Sequence, residues 1–99
     1  PMQNIVTWNA LIAGYARHGL GHEALECFKL LQDNGVSPDA VTYACILKVC
    51  SIIQSLETGK DIDAKIRERG LLRKDIVLSN ALIEMYVKFF KVSRVDRWQ

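Results

Sequence analysis

Histidine is scarce, cysteine is unpaired, and long apolar runs are missing from this 99-residue chain. Its two histidines, His18 and His22, flank a glycine turn, and Cys27, Cys45 and Cys50 form no CxxC pair. Four metal ligands at short paired spacing are therefore lacking, and no metal site is expected. An odd set of thiols, each within an apolar pattern, reads as buried and reduced. Polar residues interrupt every apolar stretch, so no membrane span is expected, and Pro1-Met2-Gln3-Asn4 does not read as the start of a signal peptide. Two strings that look like chemistry fail on context. Gly19-Leu20-Gly21-His22-Glu23-Ala24 fits the dinucleotide G-x-G-x-x-[GA] pattern, but it follows a helical stretch where a nucleotide-binding loop must follow a strand. His22-Glu23 is not a deaminase H-x-E, because no P-C-x-x-C follows. With no catalytic constellation, neither an enzyme nor a cofactor is expected.

What is present is an ordinary globular balance, 49% hydrophobic and 24% charged, enough for at most one small domain. So short a chain has a thin core, and its stability must come from stacked neighbouring elements. The net charge of +2 is unevenly spread, with three basic against five acidic side chains in residues 1–59 and ten against six thereafter. The basic excess gathers around Lys65, Arg67, Arg69, Arg73 and Lys74, readable as a phosphate-contacting patch or as a solvated helix face.

The strongest signal is internal repetition. Trp8-Asn9-Ala10-Leu11-Ile12 returns as Ser79-Asn80-Ala81-Leu82-Ile83 at an offset of 71, and Tyr15 returns as Tyr86 at the same offset. An intermediate copy lies between them. Val6-Thr7-Trp8 matches Val41-Thr42-Tyr43, and Gly35 matches Gly70, both at an offset of 35. Asn4, Asp39 and Asp75 precede the three apolar runs as candidate helix caps, Pro38 reinforces the second boundary, and Gly35 and Gly70 end the helices before the boundaries.

Within each unit the apolar residues keep helical spacing. Leu11, Ile12, Tyr15 and Ala16 form one stripe, Gly19-Leu20-Gly21 breaks the chain, and Ala24, Leu25, Phe28 and Leu31 form a second. In the next unit Ile46, Leu47, Val49 and Cys50 precede a turn at Gln54-Ser55, and Leu56, Ile62 and Ile66 follow it. Helices are expected over about 6–17, 21–34, 41–53, 55–69 and 76–89. Ala24 and Gly59 stand at equivalent places where two helices approach closely. A lone helical hairpin cannot bury its apolar stripe, so the units must stack into an all-α solenoid with a continuous groove.

The run from Ile5-Val6-Thr7-Trp8-Asn9-Ala10-Leu11-Ile12-Ala13-Gly14-Tyr15 through Glu23-Ala24-Leu25 to Gly35-Val36-Ser37-Pro38-Asp39 resembles a pentatricopeptide repeat. The tetratricopeptide W-x2-L-G-x2-Y spacing does not fit, since Ile12 stands where its glycine belongs. The second unit, with Thr58-Gly59-Lys60-Asp61-Ile62, resembles the family's longer variant, and Ser79-Asn80-Ala81-Leu82-Ile83-Glu84-Met85-Tyr86 resembles its shorter one, a succession like that of the plant organellar PLS subgroup. The resemblance covers roughly residues 4–88 and divides the chain into a standard repeat at 5–39, a long repeat at 40–75 and a partial or divergent short repeat at 76–99. Residues 1–4 would end a preceding repeat or form a linker, and the chain reads as a piece of a longer protein. There are departures: Asp63 stands where the long variant usually carries His, and Phe89-Phe90 stands where the short variant has a Cys-Gly turn.

The resemblance implies a right-handed α-α superhelix of about two and a half repeats that binds single-stranded RNA, one nucleotide per repeat, in mitochondrial or chloroplast transcript processing or cytidine-to-uridine editing. It also implies that a residue early in the first helix and the last residue of each unit read the base edge. These are Asn9 with Asp39, a pair favouring uracil and tolerating cytosine, Ala44 with Asp75, where alanine leaves little selectivity, and Asn80 without a closing residue. Val6, Val41 and Val77 would sandwich the bases, or are plain inter-repeat core. Lys65, Arg69, Arg73 and Lys74 are the candidate phosphate contacts. Asp39 and Asp75 cap helices in either reading, and Trp8 and Tyr43 read as packing anchors. Editing-complex proteins are further candidate partners. The alternatives are a protein-binding helical scaffold, and a dimer formed through exposed apolar end faces that include Phe89, Phe90 and Trp98.

Overall fold

Four of the five helices begin where a short polar side chain can accept a free backbone N–H, the cap that a helix start requires. Asn4 Oδ1 accepts from the Val6 N–H at 2.8 Å, Asp39 Oδ1 from Thr42 at 3.0 Å, Ser55 Oγ from Thr58 at 3.3 Å and Asp75 Oδ1 from Leu78 at 2.9 Å. The resulting helices are α1 (Ile5–Arg17), α2 (Gly21–Asp33), α3 (Ala40–Ile52), α4 (Leu56–Glu68) and α5 (Ile76–Trp98), with one 3-10 turn at Leu71–Arg73 before the last. This computed structural model describes residues 4–98, with side chains through Lys91. Among the described residues there is no strand, and no helix is long and apolar enough to cross a membrane.

The helix ends repeat one device. Leu20 N–H reaches back to Tyr15 O at 2.8 Å, Val36 to Leu31 at 3.1 Å and Ser55 to Cys50 at 3.0 Å, each across a residue in left-handed backbone. That residue is Gly19 (φ 74°) and Gly35 (φ 76°) in the first two cases, and Gly70 (φ 64°) occupies the corresponding place after α4. After α3 it is Gln54 (φ 56°), whose side chain carries the steric cost that glycine avoids.

Helices α1 and α2 form one hairpin and α3 and α4 a second, while α3 also lies against α1, α2 and α5. The odd-numbered helices therefore stand side by side in one row, which is the stacking that the 35-residue beat requires. Ile12, Leu31, Ile46, Leu47, Ile66, Leu78 and Met85 are fully buried along this row and behind it. A Cβ on Gly59 would collide with Met85 Sδ of α5, so any side chain there requires the methionine to move aside. Ala24, the equivalent of Gly59, is fully buried as well.

The helix bounds agree with the sequence expectations within a residue, except in α5, which continues to Trp98 instead of ending near residue 89. No glycine or proline follows Gly70, and Phe89-Phe90 fills the place of a turn, so nothing interrupts the helix. Within the described residues the third unit is thus one continuous helix, with no turn at Phe89-Phe90. Residues 1–3, expected in a preceding repeat or linker, and the side chain of Trp98 lie outside the described residues.

A carboxylate ties α4 to α5. Asp63 Oδ1 accepts from Arg67 Nε at 2.7 Å, and its Oδ2 accepts from the Tyr86 hydroxyl at 2.7 Å. Burial, and then the negative charge and hydrogen bond of Asp63, push the Tyr86 hydroxyl up to about 12. Burial also raises the thiols of Cys27, Cys45 and Cys50, the last to about 11, which favours their protonated form. Cys45 is only partly buried, unlike the other two.

Candidate nucleic-acid interface

The start of α1, the start of α3 and the segment before α3 meet at one place. Asn9 lies on the second turn of α1 and Asp39 caps α3, thirty positions later, yet Asn9 Nδ2 donates to Asp39 Oδ1 at 3.0 Å. Thr42, on the first turn of α3, completes the cluster: its Oγ1 stands 2.6 Å from Asn9 Oδ1 and 2.9 Å from Asp39 Oδ1. Thr42 Oγ1 also accepts from the Asp39 N–H at 3.1 Å, closing a reciprocal capping box. Thr42 is 0% exposed and Asn9 8%, while Asp39 is half-buried.

Burial alone would raise the Asp39 carboxyl. Hydrogen bonds from the Thr42 N–H, the Asn9 amide and the Val41 N–H outweigh it and hold Asp39 below the ordinary carboxylate range. The site therefore presents an ionised acceptor beside an amide donor. Each of the two helices carries nearby an apolar side chain that the core does not claim: Val6 on α1 is 69% exposed and Val41 on α3 57%. Val77, their counterpart on α5, is 72% exposed. The reading of these valines as buried inter-repeat core is overturned, because helical geometry turns the second residue of each unit away from the row.

The basic side chains divide into two groups. Arg69 is committed within the protein: Nη1 donates to Pro38 O and to the Tyr43 hydroxyl at 3.2 Å, and the guanidinium lies 5.6 Å from the Tyr43 ring centroid. It fixes the chain just before Asp39. Its counterpart in the first unit, Asn34, turns its amide to Leu30 O at 2.7 Å, and the indole N–H of buried Trp8 has no partner among the described residues. Lys65, Arg73 and Lys74 are exposed near the same end of α4, and Arg67 is occupied by Asp63. Trp8 and Tyr43 are buried, with Tyr43 edge-on to Phe28 at 6.3 Å between ring centroids.

The PPR repeat family model matches residues 3–51. A pentatricopeptide repeat-containing protein of Arabidopsis thaliana is 33% identical over 90 residues, covering 91% of this chain and 13% of the relative. A second from the same plant, named as mitochondrial, is 39% identical over 88 residues, 89% of this chain and 13% of its own length. A third, named as chloroplastic, is 34% identical over 87 residues, 88% of this chain and 10% of its own. The chain belongs to the pentatricopeptide repeat family. It spans roughly a tenth of the length of these curated relatives.

The pentatricopeptide positions named from the sequence are not equally equipped. Asn9 and Asp39 are brought together, as just described. In the second repeat Ala44 is half-buried, and Asp75 serves as the cap of α5 through the Leu78 N–H. In the third, Asn80 is exposed on α5. Sequence reasoning missed Thr42 and Asp63 as organising residues. Thr42 had a visible signal, since it stands three positions after a capping Asp, where a reciprocal partner belongs. Asp63 had none beyond its departure from the family pattern, because its partner Tyr86 lies 23 positions away.

Proposed function

We infer that this pentatricopeptide segment binds single-stranded RNA, one nucleotide per repeat, and that its first repeat favours uracil through Asn9 and Asp39. One observation carries the reading: the 3.0 Å contact of Asn9 with Asp39, on two helices that each also expose a valine. Val6 and Val41 supply sequence-blind contact area to the faces of a base, while the amide and the carboxylate address its edge. Lys65, Arg73 and Lys74 attract the backbone, and Arg69 holds the loop that presents Asp39. Val77, Asn80 and Asp75 would serve further nucleotides, with little selectivity where Ala44 replaces a reading side chain. Relatives named as mitochondrial and chloroplastic support an organellar transcript as the ligand, in processing or cytidine-to-uridine editing within a PLS-type array.

The test is fluorescence anisotropy with labelled RNAs that differ at one nucleotide. Asn9→Thr with Asp39 unchanged is expected to move preference from pyrimidine towards guanine. An unaltered preference refutes the assignment.

A protein-binding scaffold is the second reading, and one feature favours it. An apolar groove of about 790 Å³, lined chiefly by Leu56, Ile83, Tyr86, Val87, Phe89 and Phe90, opens between the α3–α4 turn and α5. Salt separates the two, since phosphate neutralisation makes affinity fall steeply with ionic strength and an apolar groove does not.

A further inference from the structure

Thr42 occupies no base-reading position, yet its hydroxyl is the most enclosed polar group of the site, on a residue 0% exposed. The oxygen accepts from the Asp39 N–H, and two acceptors compete for its proton: Asn9 Oδ1 at 2.6 Å and Asp39 Oδ1 at 2.9 Å. A hydroxyl has one proton to give. Asp39 Oδ1 already receives the Thr42 N–H at 3.0 Å and Asn9 Nδ2 at 3.0 Å. Were the hydroxyl proton to go there too, two bare oxygens would face each other across 2.6 Å in a buried place. The proton therefore belongs to Asn9. The opposite amide orientation fails for a similar reason, because it would set the Asn9 carbonyl against the Asp39 carboxylate at 3.0 Å.

We propose that Thr42 is a positioning residue for base selection, whose hydroxyl occupies the Asn9 carbonyl and so obliges the amide to meet the RNA as a hydrogen-bond donor. This rests on the reading of Asn9 and Asp39 as the base-reading pair. One Nδ2 proton is spent on Asp39 Oδ1 and the other has no acceptor among the described residues, while Asp39 Oδ2 is taken by neither Asn9 nor Thr42. A donor beside an ionised acceptor fits a base with an exocyclic carbonyl next to a ring N–H, which among pyrimidines is uracil. Cytosine presents an exocyclic amino group next to a bare ring nitrogen. To meet that amino group Asn9 would have to turn its oxygen outward and break the bond to Thr42. In the next repeat Leu78 stands at the position of Thr42 and Ala44 at that of Asn9, so the second site has neither reader nor lock.

The chain itself is titrated with short oligouridylate and oligocytidylate by NMR, as wild type, Thr42→Val and Thr42→Ser. The wild type is expected to favour oligouridylate. Thr42→Val should lower the uridine-to-cytidine ratio by about threefold to tenfold, the range of one lost hydrogen bond, and Thr42→Ser should retain it. A folded Thr42→Val chain with the wild-type ratio overturns the proposal while leaving the base-reading pair standing. A wild type without any uridine preference overturns both. Since Thr42 also caps α3, a second readout needs no variant: in the free wild type the Thr42 hydroxyl proton, enclosed and donated to Asn9 Oδ1, should exchange with water slowly enough to give its own signal, with a nuclear Overhauser contact to the Asn9 side chain. A Thr42 hydroxyl proton in rapid exchange with water overturns the lock, whatever the variants do.

Discussion

The junction of α1 with α3 and that of α3 with α5 use the same backbone plan and the same capping residue, yet they are built from opposite materials. At the first, Asn9, Asp39 and Thr42 form a closed polar network in which every buried group finds a partner. At the second, Ala44, Asp75 and Leu78 take those places, Leu78 is fully buried, and only the cap bond to its N–H remains. Two replacements, asparagine by alanine and threonine by leucine, change the character of the junction while the capping aspartate stays. A buried polar network is tolerated only when complete, and it holds one arrangement of side chains; an apolar contact contributes more to stability and holds no particular edge outward.

The largest effect expected from this contrast is at the apolar junction. Leu78→Ala should cost about 3 kcal/mol in urea denaturation, as removal of a fully buried leucine does, while leaving base preference at the first repeat unchanged. A loss of preference there would show that the junctions are not independent. Next comes the polar one. Asp39→Ala should cost about 1–2 kcal/mol at neutral pH through the lost cap and network. The folded Asp39 carboxyl lies below its ordinary value, so its ionisation stabilises the fold fully above about pH 4 and this contribution fades as pH falls through the lower, folded value. Denaturation across this range should show the gap between wild type and Asp39→Ala narrowing on acidification. The smallest effect belongs to the turn between the junctions. Gln54→Gly relieves left-handed backbone at φ 56° and should raise stability by up to about 1 kcal/mol, read as a shift of the denaturation midpoint.

Much of the architecture was legible because its determinants are local. The recurrence of Trp8-Asn9-Ala10-Leu11-Ile12, the capping residues and the helix-ending glycines specify helix starts and stops without reference to the fold. Asn9 and Asp39 were legible through the family resemblance, and their contact follows from the beat that stacks α3 beside α1. The role of Thr42 was less visible, because a helix-start threonine looks like an ordinary cap partner until Asn9 is seen above it. The exposure of Val6 and Val41 was undecided for a related reason: valine at helical spacing fits a core as well as a groove. The length of α5 was not legible from the family pattern, which has a turn at the place of Phe89-Phe90, whereas residues 87–98 contain nothing that ends a helix.

The polar network also crosses the formal boundary between units, with Asn9 and Asp39 on one side and Thr42 on the other. A repeat cut out at residues 5–39 and spliced into another array leaves behind the hydroxyl that holds the Asn9 side chain. Recombining such units intact calls for a splice point beyond Thr42, inside the following helix, so that each module travels with the first turn of its neighbour.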